Sequence, residues 1–271
     1  MGERAAGAQC RVTEALLFAA VAVATHEGQR LLTRASGFFF AREGRLWLVT
    51  CRHVLIDEPA GHHPDRLELE LHVDARNLTR SLRWSMPLYR DGRALWRQAR
   101  DSGGEIDVAV LEVDAAAWPP GVQVKAFTPA HLMVAEDEVP LGSALLVVGF
   151  PLGFHDTLHH LPVVRQAAVA SAFGVRFQGQ GYFLSDARTH RGTSGAAVVM
   201  RSDDAALAGT GLPWKLLGVH AGRLDMLPRN DQEDEVLGLN CTWYADVLLA
   251  LTGERPPVVA AVAEPAVPAP P

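Results

Sequence analysis

A chain of 271 residues, 48% hydrophobic and 21% charged, can bury a sizeable core as one large domain or two closely packed halves. Its formal charge of −6, with no long basic run, argues against nucleic acid as a partner, because phosphate binding needs clustered Lys and Arg. Cys10, Cys51 and Cys241 are too few and too scattered for a disulfide framework or a Cys-x-x-Cys metal site, and read as reduced thiols.

In chain order, the first feature is the apolar run Ala15–Ala24. It follows Arg4 and Arg11 and ends in Ala22-Val23-Ala24, which is the layout of a secretory signal. Glu14 abuts it, however, it is too short to span a membrane, and strand-like sequence from Gln29 to Phe40 follows at once. The reading is a buried first strand or short helix, with a secretory signal as the alternative. Apolar segments broken by Gly, Pro, Asp and Asn then predict strands over Arg34–Ala41, Leu46–Thr50, Leu67–Val73, Val108–Val113, Ala144–Phe150, Gly195–Met200 and Trp214–Val219. Thr128-Pro129 predicts the start of one short helix, and Thr242 to Leu251, stopped by Gly253, a second. Many short strands with a terminal helix point to barrels or a sandwich. Residues 255–271 are almost wholly Pro, Ala, Val and Glu, and predict an extended tail.

Three separated segments carry chemistry. Leu46 to Val54 delivers His53 at the end of an apolar strand, Asp107 opens the apolar Val108–Leu111, and Gly192-Thr193-Ser194-Gly195 places a serine between glycines ahead of another apolar run. A serine hydroxyl is a weak nucleophile until an imidazole accepts its proton, and that imidazole needs a buried carboxylate to hold its tautomer and stabilise its charged form. Gly192 allows a tight turn in which its N–H and that of Ser194 face a developing oxyanion. Each piece alone has a structural reading: a surface histidine, a capping aspartate, an ordinary Gly-x-Ser-Gly turn. Together, in the order His, Asp, Ser, they match one of the known triad arrangements.

The stretches Leu48-Val-Thr-Cys-Arg-His53-Val54, Asp107-Val-Ala-Val110, Val148-Gly-Phe-Pro-Leu-Gly153, Phe183-Leu-Ser-Asp-Ala187, Gly192-Thr-Ser-Gly195 and Leu217-Gly-Val-His-Ala-Gly222 resemble chymotrypsin-like (trypsin-like) serine peptidases, in particular bacterial members without disulfides. The resemblance covers roughly residues 13–252. It implies an all-β fold of two packed six-stranded β-barrels with a C-terminal helix. The first barrel (13–125) would carry His53 and Asp107 and the second (126–253) Ser194, followed by the flexible tail (254–271). It implies a serine endopeptidase working through an acyl-enzyme, with no metal or organic cofactor. A polypeptide would be the substrate, with no nucleic acid or membrane partner. Secreted relatives are stapled by disulfides, so their lack here points to the cytoplasm, with a separate activating or sensing protein as a partner. Secreted relatives also carry an aspartate before the nucleophile, which pairs with a new amino terminus after zymogen cleavage; Thr193 stands there, so that route of activation is not expected. After Ser194-Gly195 this chain has Ala196-Ala197 where the family often has Gly-Pro or Ser-Pro. The alternatives are a catalytically silent peptidase fold that binds a partner, and an esterase-like hydrolase with the same triad.

The specificity pocket of this fold is walled by the segments Asp186–Arg191 and Leu217–Gly222. Thr189 and His220, with Ala221 and Gly222 beside them, resemble the pocket of glutamyl endopeptidases, where a hydroxyl and a histidine bind the substrate carboxylate. Arg188, Arg191 and Arg223 would add positive potential. The competing reading is that His220 fills a barrel position. Cys51 reads as a buried strand cysteine and Phe38–Phe40 as core. The pairs His62-His63 and His159-His160 diverge as neighbours on a strand and do not suggest a metal. His155 and Asp156 are expected in a surface loop.

Overall fold

Strand β1 (Ala20–Glu27) buries every second residue, as half-buried strands do. It opens an all-β architecture in a computed structural model that describes residues 14–134, 138–223 and 238–254. The other strands are β2 (Arg30–Arg42), β3 (Arg45–Thr50), β4 (Arg66–His72), β5 (Ser81–Pro87), β6 (Tyr89–Arg90), β7 (Arg93–Ala94), β8 (Trp96–Asp101) and β9 (Gly104–Val113) in the first half. The second half contains β10 (Ala144–Gly149), β11 (Val163–Val169), β12 (Tyr182–Asp186), β13 (Ala196–Arg201), β14 (Trp214–Arg223) and β15 (Leu239–Tyr244). The second half closes into a six-stranded barrel in the order β10-β11-β12-β15-β14-β13. The first half forms an antiparallel sheet ordered β5-β4-β1-β2-β3-β9-β8, seven strands where six were expected, with β6 and β7 as a small ladder of their own.

Local chemistry explains the central hairpin. Between β2 and β3 stand Glu43 and Gly44 at φ +51° and +73°, and a two-residue turn with both φ positive matches the twist of paired strands. Phe38, Phe39 and Phe40 are all buried. Consecutive side chains point to opposite faces of a strand, so β2 must be covered on both. Phe38 meets Phe127 edge-to-face and Phe39 meets Trp118 in the same way. One continuous core runs from Leu16 and Phe38 through Leu216 and Trp243 to Leu248, so both halves share it; a smaller cluster around Leu145, Phe183 and Val198 fills the barrel.

All seven predicted strands are present, within a few residues at their ends. The apolar run near the start combines both expected forms, a 3₁₀ turn at Ala15–Phe18 followed by β1. Of the two predicted helices, the first is present as a short 3₁₀ helix, Pro129–His131, with Thr128 at its N-cap, and the second is corrected. Thr242 is no helix cap: it pairs with Phe183 in β15, its hydroxyl 3.0 Å from that of Ser185, because that segment closes the barrel. Among the described residues the α-helices are the single turn α1 (Arg52–Leu55), α2 (Ala205–Gly209) and α3 (Val247–Leu251), the last with Asp246 at its N-cap. Among the described residues no helix is long and apolar enough to cross a membrane. Cys10 and the tail beyond Glu254 lie outside the described residues, as does the side chain of Arg223.

Candidate active site

The pairing of β3 with β9 ends with Thr50 opposite Ala109. The chain then turns into α1, and that one turn sets His53 beside Asp107, near the start of β9. Asp107 Oδ1 accepts the His53 backbone N–H at 2.9 Å, and Oδ2 lies 2.7 Å from His53 Nδ1. Two contacts to one carboxylate fix the ring and assign Nδ1 as the protonated nitrogen, which leaves Nε2 to accept a proton. Burial opposes charge on this half-buried ring, but the hydrogen bond and charge of Asp107 outweigh it, so His53 is held above the ordinary imidazole range.

The serine loop is best understood by accounting for its peptide groups. The Arg191 carbonyl accepts from Leu152 N–H, the Gly192 carbonyl from Ser36 Oγ at 2.8 Å, the Thr193 carbonyl from Ala196 N–H at 2.9 Å, and the Ser194 carbonyl from Ser36 N–H at 2.9 Å. Thr193 N–H donates to His190 O and Gly195 N–H to His220 O. Every carbonyl from 191 to 194 is thus engaged, while the N–H groups of Gly192 and Ser194 have no acceptor among the described residues. Glycine is required twice. Gly192 sits at φ +90° with Leu152 N and Phe150 O at 2.8 Å from where a Cβ would stand; Gly195, at φ +84°, is pressed against Ser36 O and Thr50 Oγ1.

His53, Asp107, Ser194, Thr189, His220, Ala221 and Gly222 all line one cleft of about 450 Å³, so the structure brings the sequence-derived residues together. Ser194 Oγ donates to Ala221 O at 3.1 Å, and no hydrogen bond joins it to His53. A register shift between His220 and Gly222 in the β14–β15 ladder takes Ala221 out of strand pairing and turns its carbonyl to the serine. Thr189 is buried and donates its hydroxyl to Asn240 Oδ1 at 2.6 Å; Asn240 in turn donates to Ala187 O and Gly238 O. His220 is buried with Nδ1 unpartnered, and burial, then the nearby His53, push it down to about 4, so the ring is neutral at pH 7. Arg188 is exposed and Arg191 borders the cleft.

Three neighbours complete the site. Thr193 is buried with its hydroxyl unpartnered, a neutral group where an ammonium would need a carboxylate. Cys51 is buried and donates to His220 O at 3.3 Å, and neither it nor Cys241 is in a disulfide. Its Sγ, a ring nitrogen of His53 and a carboxylate oxygen of Asp107 lie within 4.8 Å of one another, close enough for one metal ion to touch all three. The fit is poor: the His53–Asp107 pair is already closed at hydrogen-bond distance, and burial pushes the thiol up, against the thiolate a metal needs. The adjacent histidines are held elsewhere, His62 by Val54 O and His159 by Asp156. Sequence reasoning missed Ser36 and Asn240. The available signal was a serine set directly before the apolar run Gly37–Phe40, where a buried hydroxyl must have partners.

A family model described as a trypsin-like peptidase domain matches residues 35–208. Among solved structures, the chain is similar to the active form of the Rv3671c protease from M. tuberculosis, with a TM-score of 0.50 and 18% identity over 94% of this chain and 90% of that one. It is similar also to the serine endoprotease from Yersinia pestis, at a TM-score of 0.50 and 16% identity, over 86% of this chain and 61% of that one. At these identities the likeness is one of fold. No curated protein matched the chain.

Proposed function

We propose, from the premise that the chain belongs to the trypsin-like peptidase domain family and is a serine-type endopeptidase, that His53, Asp107 and Ser194 are its catalytic triad and the N–H groups of Gly192 and Ser194 its oxyanion hole. Rotation about the Ser194 Cα–Cβ bond moves the hydroxyl from Ala221 O toward His53 Nε2. That nitrogen takes the proton as Oγ attacks the substrate carbonyl carbon. The carbonyl oxygen becomes an anion and receives the two N–H groups that have no acceptor among the described residues. His53 then gives its proton to the leaving amine, the C–N bond breaks and an acyl-Ser194 remains. Water, deprotonated by His53, hydrolyses the acyl group and Ser194 regains its proton. Asp107 holds the Nδ1–H tautomer throughout. The observation that carries this reading is the loop in which four consecutive carbonyls are engaged and two N–H groups are left for a ligand.

We further propose that the cleft prefers Glu or Asp on the amino side of the cut bond. Thr189 and His220 line it with Arg191 at its border, and a neutral His220 still offers one N–H. Thr189 gives its proton to Asn240, so a bound carboxylate must either win that proton or rely on His220 and the local positive potential. A buried, neutral Thr193 gives a new amino-terminal ammonium no charge to pair with, which supports an enzyme competent without amino-terminal cleavage.

The test is to treat the parent protein and Ser194→Ala with a fluorophosphonate probe, then with matched peptides carrying Glu, Arg or Phe before the cut bond. The parent should label and cleave, and the variant should lose about 10⁶-fold in rate. Labelling of neither protein would sink the triad reading; cleavage confined to Arg or Phe would sink the acidic preference.

A further inference from the structure

Ser36 lies in β2, in the half of the molecule that holds His53 and Asp107, yet three of its hydrogen bonds cross to the other half. Its N–H donates to Ser194 O at 2.9 Å, its Oγ donates to Gly192 O at 2.8 Å, and the same Oγ accepts Phe150 N–H at 2.9 Å. Its own carbonyl accepts Thr50 Oγ1 at 2.8 Å, which anchors it to β3 just ahead of α1. The residue is wholly buried, and two glycines leave it the room it needs. A Cβ on Gly149 would stand 2.6 Å from Ser36 Oγ, and one on Gly195 would collide with Ser36 O.

We infer that Ser36 is a positioning residue for catalysis, whose hydroxyl locks the oxyanion hole by holding both peptide groups that flank the Gly192 Cα, one of which carries the Gly192 N–H. The inference rests on the oxyanion-hole reading above. One of those peptides is held directly, through Gly192 O. The other is held through the 150–152 turn: Ser36 Oγ fixes Phe150, and Leu152, two residues on, holds the Arg191 carbonyl turned away from the cleft. Gly192 at φ +90° has no side chain to resist rotation of these peptides, so the lock has to come from outside the loop. Ser36 supplies it while bonding Ser194 O through its own N–H, and thereby ties the nucleophile's half to the histidine's half.

Ser36→Ala removes the hydroxyl and keeps the backbone bond to Ser194. The expected result is a loss in kcat on the order of tenfold to hundredfold with KM unchanged, since a mis-aimed oxyanion donor weakens only the transition state. A peptide boronate, which forms a tetrahedral adduct on the serine, should lose affinity by a similar factor. A cleaved product peptide, which forms none, should bind as to the parent. Thr252→Val serves as the control for stability alone, because Thr252 is an equally buried hydroxyl bonded to Leu248 O at 2.6 Å, far along the chain from the loop, and should leave kcat unchanged. If Ser36→Ala does not fold, Ser36→Cys keeps a weak donor in the same space and should give an intermediate kcat. Either folded variant with parental kcat and boronate affinity, beside an inactive Ser194→Ala, overturns this inference and leaves the triad intact. Full activity in Ser194→Ala overturns the triad reading itself.

Discussion

His53 is pulled in two directions. Burial penalises the imidazolium, and the 2.7 Å contact with Asp107 stabilises it more, so the ring ends above its ordinary value of 6.5. The sign for catalysis follows from the proposed mechanism, in which only the neutral ring can take the Ser194 proton. Activity should be full above the raised value and fall as pH drops through it. The kcat/KM profile, which reports the free enzyme, should therefore show an acid limb centred above 6.5. An acid limb at or below 6.5 would mean that Asp107 does not stabilise the charged ring. His220 adds nothing to that limb, since at about 4 it stays neutral throughout this range. Residues of one type, 167 positions apart and in one cleft, thus behave oppositely, because among the described residues Asp107 lies beside His53, whereas burial dominates at His220.

At the scale of elements, α3 is the clearest case of a local signal resolved by packing. Five residues are too few for a helix to hold itself together in water, so α3 depends on what it docks against. Leu248 and Leu251 are fully buried in the shared core. Arg97 on β8 reaches across to the carbonyls of Leu251 and Gly253 at the helix C-terminus, where a cation is favoured, and Arg42 on β2 bonds Leu249 O. Removing buried methyl groups loses their transfer energy and leaves a cavity, so Leu248→Ala should cost about 2–5 kcal/mol. Urea denaturation measures it; a loss below about 1 kcal/mol would show that α3 is not a structural part of the core.

The whole molecule joins two sheets through one continuous hydrophobic cluster and through the Ser36 contacts. The barrel has its own smaller cluster, but pulling the halves apart would expose the larger core that both contribute to, so unfolding should be a single cooperative transition. Calorimetry with equal van't Hoff and calorimetric enthalpies would support this; two separated transitions would refute it. The same arrangement explains the placement of the cleft. His53 and Asp107 come from one sheet, Ser194 from the barrel, and the site exists only where the two meet.

Sequence alone showed seven of the strands and the all-β class, and singled out the His, Asp and Ser segments as candidates, because alternation, turn glycines and those segments are local patterns. It also singled out Gly192 as the residue of a tight turn, and the structure places that residue at φ +90°. What it misjudged was equally local in appearance: Thr242 reads as a helix cap but pairs in β15. Strand pairing across the barrel decided that, and no nearby residue announces it. Only the tertiary structure could show that Thr189 spends its hydroxyl on Asn240, that His220 is buried and neutral, and that Ser36 grips a loop 156 residues away. Those facts are contacts between distant segments, and a buried hydrogen bond depends on where two segments meet in space.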